Sequence, residues 1–136
     1  MAGSPSLLSK VKKMTIDELI TQVNEEKPNT FSNDKQTEFI NQIESDIVDF
    51  LGGRFRRYWE QYVYTRDKDE ELIAKPPYDR LYKDYLKAQI DYALEEYQSY
   101  ANNQAQFMQD FDDFKSFAIR MGMVEKRLPK RVRNWF

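Results

Sequence analysis

Apolar and aromatic residues recur along the second half of this chain in steps of three and four. They fall at Tyr78, Leu81, Tyr85, Ala88 and Tyr92, and again at Tyr97, Tyr100, Phe107, Phe111, Phe114, Ala118 and Met121, with Gln104 in the one polar slot. This is the period of an amphipathic helix. Continued past Tyr92, the first stripe lands on Glu95, Ser99, Asn102, Gln106 and Gln109. The two stripes are therefore out of phase by two residues, or about 200° at 3.6 residues per turn. One straight helix would throw one stripe into water. Two helices folded back on each other, with a turn near Leu94 and Glu95, bury both. The first of these helices also carries Tyr82, Leu86, Ile90, Ala93 and Leu94, which widens its apolar arc to about 240° at 100° per residue. Either several helices of the same chain surround it, or part of the arc faces another subunit.

Upstream, Thr15 and Glu18 have the spacing of a capping box, which predicts a helix from Ile16 with the inner face Ile16, Leu19, Ile20 and Val23. Pro28 and Asn29 end it. Ser32 or Asn33 can cap a second helix whose inner face is Phe39, Ile40, Ile43, Ile47, Phe50 and Leu51, closed by Gly52 and Gly53. The stretch RFRRYWEQYVYT carries both periods. Phe55, Tyr58, Trp59 and Tyr62 suit a helix and Tyr62, Val63 and Tyr64 suit a strand, with helix preferred. The charged run TRDKDEE is expected to be an exposed loop, and Pro76 and Pro77 set the lead-in to the hairpin. The expected fold is all-α: a small helical domain with two N-terminal helices and a C-terminal antiparallel helix hairpin.

A chain of 136 residues suffices for one domain with tails. No apolar run approaches the ~20 residues of a membrane span, and no membrane partner is expected. Residues 1–13 read as a flexible leader without the apolar stretch of a secretory signal. There is no cysteine and no histidine. Disulfides and thiolate sites are excluded, and the usual general base and commonest metal ligand are missing. Asp110, Asp112 and Asp113 point in diverging helical directions with no calcium-loop glycine, so a solvated face is expected there. Glu95 and Glu96 sit where acidic groups favour the start of the following helix. No phosphate loop, nucleophile elbow or zinc spacing occurs. The expectation is a protein with no catalytic residues, cofactor or metal, and not an enzyme.

The net charge of −2 conceals a segregation. Residues 14–121, the expected helical domain, hold 13 basic and 22 acidic side chains, whereas residues 122–136 hold five basic and one acidic. In that basic tail Lys126, Arg127, Lys130, Arg131 and Arg133 lead to Trp135 and Phe136. Basic and aromatic residues together suit nucleic acid, and equally suit docking onto an acidic protein surface with the aromatic pair as anchor; an inert solvated tail is the third reading. Arg54, Arg56 and Arg57 would extend the basic surface if they lie nearby.

Taken in order, Pro28-Asn29, Pro77-Tyr78-Asp79, Gln89-Ile90-Asp91-Tyr92 and Tyr100-Ala101-Asn102-Asn103 make residues 14–121 resemble the small head-tail connector (adaptor, or head-completion) proteins of tailed bacteriophages. The resemblance implies an all-helical subunit that forms a homo-oligomeric ring beneath the portal protein and joins the DNA-filled head to the tail or a stopper protein. It places the protein at the head–tail interface of the virion, and in the bacterial cytoplasm during assembly. DNA would pass the channel without specific binding, which suits an acidic wall. The tail residues Lys126, Arg127, Lys130, Arg131, Arg133, Trp135 and Phe136 would then contact the portal or a neighbouring subunit. The competing expectation is a small helical nucleic-acid-binding protein, a packaging factor or regulator, using the same tail.

Overall fold

A computed structural model describes residues 14–125. Among these the regular structure is entirely helical: α1 (Ile16–Glu26), α2 (Asn33–Leu51), α3 (Gly53–Tyr58), α4 (Tyr64–Asp67), α5 (Arg80–Ala93) and α6 (Tyr97–Arg120). One isolated bridge joins Thr15 to Glu71.

Each end of α1 has a local cause. Both halves of the capping box form, with the Glu18 N–H donating to Thr15 Oγ1 and the Thr15 N–H donating to Glu18 Oε1, each at 3.2 Å. The next first-turn amides, of Ile16 and Asp17, donate to the Glu70 and Lys68 carbonyls at 3.2 and 2.9 Å. Donors that a helix start leaves unpaired are thus taken up by the 68–72 segment. Ser32 caps α2, accepting from the Lys35 N–H at 3.0 Å. Gly52 and Gly53, at φ +66° and +56°, turn the chain out of α2.

The α5–α6 hairpin is antiparallel, and its register is visible in ring pairs. Tyr78 faces Phe114, Tyr85 faces Phe107 and Tyr92 faces Tyr100, with centroids 6.5, 5.1 and 5.4 Å apart. Every step of seven along one helix is matched by a step of seven back along the other. The turn is Leu94 to Glu96, where the Glu96 N–H donates to the Asp91 carbonyl at 2.8 Å and the Glu95 N–H to Tyr92 at 3.1 Å. Glu95 holds the left-handed position at φ +60° that glycine more often fills. Gly122 closes α6 in the same way, with the Met123 N–H on the Ala118 carbonyl at 2.9 Å.

The wide apolar arc of α5 is consumed inside the chain. Leu81, Tyr82, Leu86, Ala88 and Ile90 are all fully buried, within one core that also takes Ile16, Leu19, Ile20 and Val23 of α1, Ile40, Ile43, Ile47 and Leu51 of α2, and Phe107, Phe114 and Ala118 of α6. Of the two readings of that arc, the central core helix holds from Leu81 to Ile90, while Tyr92, Ala93 and Leu94 stay exposed. The stripes do run past the core at their ends: Tyr92, Leu94, Tyr97 and Met121 are exposed, and Phe111 is half-buried beneath the Lys115 ammonium.

Three expectations need correction. The preferred helix after Gly53 stops at Tyr58, and residues 59–63 are not helical, with Trp59 (φ −75°, ψ 136°) and Val63 (φ −119°, ψ 122°) extended. The cause is a pair of bonds to α2, in which the Tyr62 N–H donates to Asn41 Oδ1 at 2.8 Å and Asn41 Nδ2 donates to the Tyr62 carbonyl at 3.0 Å. Asn41 thus satisfies backbone groups that helix bonds would otherwise take. The charged run is not wholly loop, because Tyr64–Asp67 forms a turn of helix stabilised by the Val63 N–H on Asp67 Oδ2 at 2.8 Å. Asp110 is not on a solvated face: it is 4% exposed.

Truncating Phe114, which is 1% exposed, is expected to destabilise the protein by about 3 to 5 kcal/mol, whereas half-buried Phe111→Ala should cost clearly less. Thermal melts of the two variants test this, and equal effects would contradict the hairpin register.

Candidate interaction surface and buried carboxylates

The predicted contact residues Lys126, Arg127, Lys130, Arg131, Arg133, Trp135 and Phe136 all lie outside the described residues. The point from which that segment departs is well placed. The Glu125 N–H donates to the Leu51 carbonyl at 3.0 Å, and its carboxyl sits 3.1 Å from where a side chain on Gly53 would begin. Glu125 therefore lies beside the start of α3, whose Arg54, Arg56 and Arg57 are exposed. Arg56 reaches Asp49 at 3.4 Å and Arg57 lies 5.9 Å from the Tyr58 ring centroid. Next to them Arg54, Phe55, Tyr58, Trp59 and Ile73 line an apolar groove of about 450 Å³. The three arginines and Glu125, the last described residue, share one end of the molecule.

A second apolar surface lies at the N-terminal end of α6, a helix about 36 Å long for 24 residues at 1.5 Å each. There Tyr92, Leu94 and Tyr97 are 59, 48 and 55% exposed around the hairpin turn. Lys27, which caps the C-terminus of α1, braces this turn. Its ammonium meets Asp91 Oδ1 and lies 2.9 Å from Glu96 Oε1. Asp91 also accepts from Ser99 Oγ and Asn103 Nδ2, each at 2.7 Å.

Three carboxylates are buried in this fold, and spacing alone identified none of them as functional. Glu44 Oε1 accepts from Tyr82 Oη at 2.5 Å, and its Oε2 from Tyr62 Oη at 2.7 Å and the Ile73 N–H at 3.0 Å. Burial pushes the Glu44 carboxyl above its ordinary value against the pull of these donors, and both phenols are pushed up by burial and by the carboxylate. Burial also works to raise Asp91, but Lys27, Ser99 and Asn103 outweigh it and hold the carboxyl below its usual range. Asp110 Oδ1 accepts from Gln106 at 3.0 Å. A signal for all three was present: Glu44 stands four residues from both Ile40 and Val48, Asp91 adjoins Ile90, and Asp110 lies between Phe107 and Phe114, each within or beside an apolar stripe. A polar residue there is either misplaced or satisfied.

Among the described residues no group of three or more acidic side chains is arranged to hold a metal ion, and no helix is long and apolar enough to cross a membrane. Compared with known proteins, the chain matches no family model, no curated protein and no solved structure.

Replacing Lys27 with methionine leaves Asp91 buried without its cation. A loss of about 3 kcal/mol is expected, the low end for breaking a buried pair because Lys27 keeps some contact with water. Asp91 is held below 3.8, so its contribution is present above that value and lost as pH falls through the lowered one. Wild-type and Lys27→Met melting curves should therefore converge in strong acid, and a constant gap down to pH 2 would contradict this.

Proposed function

We propose that this chain is a structural assembly subunit, a head-tail connector of a tailed bacteriophage. It joins a ring beneath the portal and links the DNA-filled head to the tail or to a stopper protein. The observation that carries this reading is the pair of apolar surfaces at opposite ends of a body whose own core is complete. Phe55 and Tyr58 stand at one end and Tyr92, Leu94 and Tyr97 at the other, although α5 is covered within the chain from Leu81 to Ile90. Surfaces at two ends suit contacts with two different neighbours, the heterologous geometry from which rings close. Exposed tyrosine suits such partly wet contacts. The ordered resemblance of residues 14–121 to connector proteins supports the same reading, and so does the acidic body, which would not hold passing DNA. The virion location and the portal contact by residues 126–136 follow from this assignment.

A second reading, nucleic-acid binding, is favoured by one specific observation: Arg54, Arg56 and Arg57 are exposed where the basic segment departs.

Electron microscopy of the full chain with its portal should show rings. Leu94→Asp and Tyr97→Ser, both at exposed positions, should abolish them without lowering the melting temperature. Monomer persisting with the portal present would overturn the connector reading. Tight DNA binding that weakens steeply with salt and disappears on deletion of residues 126–136, with no portal binding, would establish the nucleic-acid reading instead.

A further inference from the structure

The heptad-like register of the hairpin places two carboxyl groups against each other. Asp91 of α5 faces Asn103 of α6, and the Asn103 amide donates to Asp91 at 2.7 Å. Seven residues back along α5 stands Asp84, and seven residues on along α6 stands Asp110. The same geometry that gives Asp91 an amide donor gives Asp84 a second carboxyl. Asp110 is 4% exposed, and its Oδ1 is already occupied by Gln106. Asp84 Oδ2 is buried and receives no donor from the protein. Two acceptors that meet in this way are satisfied by a proton shared between them.

The surrounding charges do not replace that proton. On α5, Arg80 and Lys87 act on Asp84 from a distance, and Lys83 and Lys87 are committed to Glu26 of α1 at 2.7 and 2.8 Å. On α6, Asp113 adds a further negative charge and is itself bonded by Gln109 at 3.0 Å. From α2, Asp46 faces the neighbouring Tyr85. A recess beside Asp110, lined by Pro77, Tyr78, Arg80, Asp110 and Asp113, is about 30 Å³, room for a water or two.

We propose that Asp84 and Asp110 share one proton across the α5–α6 seam, and that this bond is a pH-sensitive latch on the hairpin. With the proton in place the pair does for this turn of the seam what Asp91 and Asn103 do for the turn seven residues away. When it leaves, two carboxylates repel each other in a poorly hydrated contact. Burial, then Asp110, raises Asp84 to about 7. The folded state therefore keeps a proton that the unfolded chain releases above its ordinary 3.8. The latch is fully effective below that lower value, weakens as pH rises and is lost through about 7.

The test compares wild type with Asp110→Asn, which supplies at Asp84 the amide that Asn103 supplies at Asp91. Denaturant unfolding between pH 4.5 and 8.5 should show the wild-type unfolding constant rising relative to the variant, by less than the limiting tenfold per pH unit because water reaches part of Asp84, and levelling above 7. Carboxyl-carbon NMR of the wild-type protein should show Asp84 titrating near neutral pH, a measurement that stands whether or not the variant folds. Parallel unfolding curves for the two proteins, or an Asp84 titration at an ordinary acidic value, would overturn the latch.

Discussion

The structure depends on burying α5 on nearly every side. A helix with an apolar arc of about 240° cannot lie on a surface, so α1, α2 and α6 must all reach it. The short N-terminal helices are therefore walls of the same core that α6 closes from the other face. Leu81, Leu86, Ala88 and Ile90 make no use of a partner subunit. The part of the α5 arc that remains in water lies at the hairpin turn, at Tyr92 and Leu94.

Enclosing a helix with polar residues on its flanks creates a second constraint, because every buried carboxylate needs donors. Three different solutions appear along the structure. Glu44 is held by two phenols and a backbone N–H, which tie α2, the 59–63 strap, the 72–74 segment and α5 together. Asp91 is held by a cation and two neutral donors at the hairpin turn. Asp110 is held by Gln106, one turn away on the same helix. The first two lock elements that are distant in sequence, and the third is local to α6. Tyr82 serves both constraints, with its ring in the core, its hydroxyl donating to Glu44, and the Ala74 N–H donating to that hydroxyl at 2.9 Å.

Periodicity made the helices legible, and local chemistry made most of their ends legible. The capping box at Thr15, the Ser32 cap and the phase shift that demanded a turn near Leu94 and Glu95 all depend on residues close in sequence. What escaped depends on residues far apart. Nothing in RFRRYWEQYVYT reveals that Asn41 will bracket Tyr62 and hold residues 59–63 out of a helix. Nothing near Asp110 announces Asp84, because that meeting follows from the hairpin register, which needs both helices placed. The wide arc of α5 was visible, but its cover by α1 and α2 was not, since helix faces carry no address. For the interaction surface, the basic and aromatic residues after Glu125 were legible as composition alone; the groove at Phe55, Tyr58 and Trp59 that their departure point adjoins required the fold.

The claim that the rest stands on is that α5 is the enclosed axis of a body complete within one chain. Native-state hydrogen exchange of the full chain, at low concentration and without partners, tests it most directly. The account predicts that the amides of Leu86, Ala88 and Ile90 exchange only through global unfolding, among the slowest in the protein, while those of α3 and α4 open locally. Exchange of the α5 amides at a lower free energy than global unfolding, with protection appearing only as protein concentration rises, would mean that another copy supplies part of the cover and would contradict the account.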